Sequence, residues 1–222
     1  MPIDYTKRPK QPPATAPAPP SSGPIVLTKA APAVSLAKTS GGTLRVNLNW
    51  NAKPDKPRGF FQKSEPGLDL DLGCLYEFTD GSKGVVQALG NSFAALDRTT
   101  RATVIRLDGD DRSGAVSGGE NLLIDLAHVE RINRILVFAL IYEGAANWAA
   151  ADGVATLHPA AGPPVTIRLD DPRDGARICA IAMLESRGGA LQVRREIRYI
   201  NGGQRALDEA YNWGMRWTAG RK

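Results

Sequence analysis

Pro66-Gly67-Leu68-Asp69-Leu70-Asp71-Leu72 alternates acid and leucine at the two-residue period of a strand. Its pleat sends Asp69 and Asp71 to one face and Leu68, Leu70 and Leu72 to the other. Side chains two apart on a strand stand roughly 7 Å from one another at about 3.3 Å per residue, so the two carboxylates repel unless a cation lies between them. Downstream, Leu107-Asp108-Gly109-Asp110-Asp111-Arg112-Ser113-Gly114 sets more aspartates among glycines, followed by Gly118-Gly119-Glu120-Asn121. Glycines let a loop fold tightly enough to aim several oxygens at one point. The two stretches are expected to meet around a hard cation.

Outward from this stretch the chain reads as strands. Leu44, Val46, Leu48 and Trp50 alternate with Arg45, Asn47 and Asn49, as in a half-buried strand. Further runs span about 68–78, 84–89, 102–107, 120–126, 134–142, 154–158, 164–169, 176–185 and 190–200, with turns such as Thr79-Asp80-Gly81-Ser82 and Ala151-Asp152-Gly153 between them. About ten short strands predict an all-β fold, an antiparallel β-sandwich. Gln204 to Trp213 is free of Gly and Pro and spaces Leu207 and Tyr211 as a short C-terminal amphipathic helix would. Trp213 and Trp217 are expected to cap the core.

The 222 residues suffice for one folded domain. Residues 1–32 hold Pro9, Pro12, Pro13, Pro17, Pro19, Pro20 and Pro24 among Ala, Ser and Lys. Such a composition offers too little burial to offset chain entropy, which predicts a disordered tail before a domain at 33–222. No signal-peptide pattern and no apolar run of membrane-spanning length is seen in this sequence. The net charge of +5 is unevenly placed. Residues 1–60 carry nine Lys or Arg against two acids, residues 61–186 eleven against eighteen, and residues 187–222 eight against three. The acidic centre coincides with the expected cation site, and the basic ends are read as solvated surface, with nucleic acid disfavoured as a partner.

Cys74 and Cys179 lie in apolar runs and are read as buried, reduced thiols. With only His128 and His158 beside them, no zinc ligand set of ordinary spacing can be written. An EF-hand register starting at Asp108 fails, because Arg112 falls at its fifth position and Gly119 at its twelfth. A site assembled from separate strands and loops remains, with Asp69, Asp71, Asp110 and Asp111 as side-chain ligands, Glu120 as a further carboxylate, and Asp108 and carbonyls near Gly109 or Asn91 behind them. Crowded carboxylates on flexible loops suit calcium better than magnesium.

Three segments together resemble the tellurium-resistance TerD-domain family, also called calcium-binding stress proteins: Gly67-Leu68-Asp69-Leu70-Asp71, Gly109-Asp110-Asp111-Arg112-Ser113-Gly114 and Ile135-Leu136-Val137-Phe138-Ala139-Leu140-Ile141-Tyr142. The TerA branch is the nearest in look, through Gly84-Val85-Val86-Gln87-Ala88-Leu89-Gly90-Asn91, Gly118-Gly119-Glu120-Asn121 and the ending Tyr211 to Lys222. The resemblance covers about residues 34–222. It implies a non-enzymatic, calcium-binding β-sandwich, cytoplasmic or at the inner face of a bacterial membrane, working with other tellurium-resistance and stress proteins. Where many members carry Gly-Asp-Asp-Glu, this chain has Gly118-Gly119-Glu120-Asn121, one carboxylate fewer, which bears on a second ion and on affinity. Two rival classes make different demands. A calcium-dependent carbohydrate-binding or adhesion module needs an exposed aromatic beside the ion, and a thiol enzyme needs Cys74 and Cys179 exposed and adjacent.

Overall fold

A computed structural model of the chain describes residues 23–50, 69–108, 118–143, 147–170, 172 and 175–217. The described chain forms two sheets. The first runs in the order β1 (Ile25–Val26), β11 (Val165–Leu169), β10 (Gly153–His158), β3 (Thr43–Asn49), β8 (Glu120–Asp125), β7 (Thr103–Leu107), β6 (Ala94–Leu96). The second runs β2 (Ala33–Ser35), β13 (Ala190–Ile200), β12 (Ile178–Arg187), β9 (Ile132–Glu143), β4 (Asp69–Phe78), β5 (Lys83–Val86). Leu44, Val46 and Leu48 from the first sheet and Leu70, Leu72, Val137 and Ile181 from the second belong to one buried cluster, so the inner faces share a core as in a sandwich.

The all-β expectation holds, and the strand count does not: thirteen strands are described where about ten were expected. The three additions, β1, β2 and β6, are two or three residues long, too short to carry an alternation. β1 also pairs parallel with β11, so the sandwich is not wholly antiparallel. Part of the expected tail is structured as well: Ile25 and Val26 pair with Val165 and Thr166, and Leu27 is buried in the core. Residues 1–22 lie outside the described residues.

The second sheet is apolar on both faces, which explains why Ile135–Ile141 and Ile178–Leu184 run continuously instead of alternating. Its outer side carries a second cluster, in which Leu75, Leu136, Phe138, Ile178 and Met183 are covered by Leu207 and Trp213. The covering element is the expected C-terminal helix, α2 (Gln204–Ala210), followed by the segment to Trp217. A four-residue helix, α1 (Trp148–Ala151), is capped by the Asn147 side chain, which accepts from Ala150 N–H at 2.9 Å. No helix among the described residues is long and apolar enough to cross a membrane.

Candidate metal centre

β4 behaves at its start as its alternation demands: Leu70 and Leu72 are buried in the core, and Asp69 and Asp71 are half-buried on the other face. Opposite them in β9 the register places Glu143 against Asp69 and Leu140 against Asp71, with a bulge between Asp69 and Leu70. The far side of β4 is different. Its ladder with β5 stops at the Cys74–Val86 pair, and ladder alternation points the N–H groups of Tyr76, Cys74 and Leu72 toward that side. Leu72 therefore reaches beyond β5 with an unused donor. Glu120 fills the gap: its Oε2 accepts the Leu72 N–H at 2.5 Å. Glu120 starts β8, in the opposite sheet, and is 4% exposed. A single carboxylate thus bridges the two sheets one residue from Asp71, through a charge-assisted bond of the strong kind.

Local structure holds Glu120 in that place. Asn47, on the neighbouring β3, donates through Nδ2 to the carbonyls of Gly118 (2.6 Å) and Glu120 (3.4 Å) and to Asn121 Oδ1 (3.0 Å). Arg45 adds a bond to Asn121 Oδ1 at 3.2 Å. Gly119 has a left-handed φ of +63°, and a Cβ there would strike the Leu48 carbonyl oxygen. A glycine at this position is thus required by the backbone of this chain. At the other end of the segment, Asp108 follows β7 and its N–H donates to Asn121 O at 2.9 Å. Its carboxylate pairs with Arg106 at 3.5 Å.

Of the expected ligands, Asp69, Asp71 and Glu120 are brought to one end of the sandwich, and Asp108 stands across from Asn121 beside them. Asp110 and Asp111 lie outside the described residues. Among the described residues no three His, Cys, Asp or Glu side chains come together as a metal-holding group. What this end offers is hard oxygen from carboxylates, amide side chains and carbonyls, a donor set suited to calcium and poorly suited to soft metals. Asn47 and Gly119 were missed as parts of the site. Asn47 was visible only as one of several polar residues on the outer face of β3, whereas the Gly118-Gly119 pair did signal a special backbone.

The thiols are not available to a site at this end or elsewhere on the surface. Cys74 and Cys179 are both fully buried, and burial pushes the Cys74 thiol far up, against the weaker opposing effect of its bond to the Val86 backbone. The exposure a thiol enzyme requires is absent at both positions.

Fold and site together define a two-sheet β protein with an acidic end built where strands from both sheets meet. Among characterised proteins the chain is similar to the tellurium resistance protein TerA of Alcaligenes sp., 40% identical over 201 residues, which cover 89% of this chain and 58% of that protein. The resemblance drawn from the motifs therefore holds over most of the chain, and the chain spans 58% of the length of the relative it matches. No protein-family model matches it. Among solved structures, a protein of unknown function superposes with a TM-score of 0.51 at 15% identity, over 74% of this chain and 92% of that one, a likeness of fold. A homologue of telluride resistance protein (TerD) from Streptomyces coelicolor A3(2) superposes with a TM-score of 0.49 at 18% identity, over 72% of this chain and 90% of that one.

Proposed function

We propose that this chain is a non-enzymatic calcium-binding scaffold or sensor in a bacterial tellurium-resistance and chemical-stress system, in the cytoplasm or against the inner membrane surface, working with other proteins of that system. The role in resistance is supported by the identity to TerA. The calcium reading is supported by one observation above the rest: the Glu120 carboxylate from one sheet is bonded to Leu72 in the other, beside the Asp69/Asp71 pair. Asp69, Asp71 and Glu120 would hold the ion together with Asp110 and Asp111, and Asp108 would add a further oxygen. Calcium supplies positive charge that makes the carboxylates tolerable to one another. The chain supplies strand ends that fix some of the oxygens, with Gly118 held by Asn47 and Asp108 held by Asn121. Binding in this way couples calcium concentration to stability and to the surface shown to a partner.

Titration calorimetry of the metal-free protein with calcium and with magnesium tests this, paired with thermal melts. At a calcium concentration a hundred times the dissociation constant, linkage adds about 2.7 kcal/mol, or roughly 5–10 °C for a chain of this size. Asp69→Asn combined with Asp71→Asn should remove both the heat and the shift. Identical melts with and without calcium in the unsubstituted protein end the proposal.

A further inference from the structure

β5 ends the second sheet, and no described strand pairs with it on the side away from β4. Phe78 N–H donates to Ser82 O at 2.9 Å, and Tyr76 and Cys74 stand opposite Gly84 and Val86. Residues 82, 84 and 86 thus turn their backbone groups inward to β4, and alternation turns those of Lys83 and Val85 outward. An open groove of about 1240 Å³ runs along this edge, bounded on one side by Ser92 and Ala94 and on the other by Gly214 to Trp217. That is larger than the roughly 300–1,000 Å³ typical of a small-molecule site, and its floor is a strand edge. An extended polypeptide is the ligand such a groove accommodates.

The lining sets the chemistry of that polypeptide. Lys83 and Arg216 bring cationic groups, Val85, Met215 and Trp217 bring apolar surface, and no Asp or Glu lines the groove among the described residues. An edge lysine commonly serves to repel a further strand. Here, however, the Lys83 ammonium is drawn across the outer face, to Trp213 O at 3.0 Å and Glu77 at 3.5 Å, which leaves the edge itself uncovered by it. Gly84 has no side chain, and the Tyr76 hydroxyl occupies the place a Cβ would take, so the strand is smooth at its centre and carries a hydroxyl there.

We propose that the β5 edge takes an extended acidic peptide segment of a partner protein as an added strand. The segment's backbone would pair with Lys83 and Val85, a carboxylate would meet Arg216, and an apolar side chain would rest on Trp217 and Met215. This surface is separate from the carboxylates proposed to hold calcium, so it stands or falls independently of them.

The probe is a capped peptide alternating Glu and Val, followed by calorimetry and by amide hydrogen exchange of the intact chain. Saturable binding that slows exchange at Lys83 and Val85, and weakens as salt is raised, supports the proposal. The same peptide with Lys in place of Glu should not bind. Val85→Pro keeps the ladder to β4 while removing one outward donor and should weaken binding about tenfold. Arg216→Glu, at an exposed position, should weaken it without changing the melting temperature. Four results overturn the proposal: no binding at millimolar peptide, equal binding of the Lys peptide, protection that maps away from β5, or self-association of the chain through that edge.

Discussion

At the scale of single residues, Gly119 and Glu120 show how backbone and side chain divide the work at this end of the sandwich. Gly119 is left-handed and in contact with the β3 backbone at Leu48, a setting that only a residue without Cβ enters freely. Gly119→Asp, which adds a carboxylate next to Glu120, is therefore expected to destabilise this chain. The left-handed backbone costs roughly 1–2 kcal/mol before the clash with Leu48 is added. A melting temperature lower by several degrees, without tighter calcium binding, is the expected outcome; an unchanged melt would show that the backbone yields more easily than its contacts imply. Glu120 could be picked out in the sequence as a candidate ligand, but its partner could not. The Leu72 N–H is left unpaired by β5 only because the β4–β5 ladder is short, a fact of pairing and not of residue type.

Among the elements, α2 and the segment after it depend on Asp208, a buried carboxylate. Its Oδ1 accepts Gly214 N–H, and its Oδ2 accepts Met215 N–H and the Trp217 indole N–H, each at 2.9 Å. This arrangement turns the chain back across the outer face of the second sheet, burying Trp213 and shaping one wall of the β5 groove. Hydrogen bonds to a charged acceptor contribute about 1.5–3 kcal/mol each at most, and they are not additive. Asp208→Ala should therefore cost about 3 kcal/mol and speed proteolysis after Trp213, with the core strands still protected from hydrogen exchange. Global loss of protection would contradict a local role. The amphipathic spacing of Leu207 and Tyr211 announced this helix, while its length was overstated. Helical structure stops at Ala210, because Trp213 N–H turns back to Asp208 O.

Over the whole molecule, the outer layer is fastened by Glu77. Its carboxylate takes two bonds from Arg134 at 2.8 Å and one from Asn133 at 3.1 Å, with Lys83 at 3.5 Å. The Arg134 guanidinium lies 3.9 Å over the Trp213 ring, whose indole N–H bonds Tyr76 O at 3.1 Å. Burial pushes the Glu77 carboxyl up, but the hydrogen bonds and charge of Arg134, with Asn133 and Lys83, outweigh it and hold it below the usual carboxylate range. A carboxyl depressed by folding stabilises fully above its ordinary value and loses that contribution as pH falls through its lowered one. Melts of the unsubstituted protein and Glu77→Gln should therefore differ most near neutral pH and converge in acid. A constant gap down to low pH would rule this linkage out.

What the sequence by itself determined is what depends on local period and composition. Alternation at Leu44–Trp50 and Leu68–Leu72 declared strands and faces, and the turn residues separated most of them. The apolar character of the runs holding Cys74 and Cys179 foretold two buried thiols. Tertiary structure alone decided the rest. It placed β1 and β2 on sheet edges from a stretch too short to read, made the second sheet apolar on both faces, and carried Glu120 across to Leu72. Each of these rests on which strand lies beside which, and a carboxylate forty-eight residues from its donor meets it only once the two sheets are stacked.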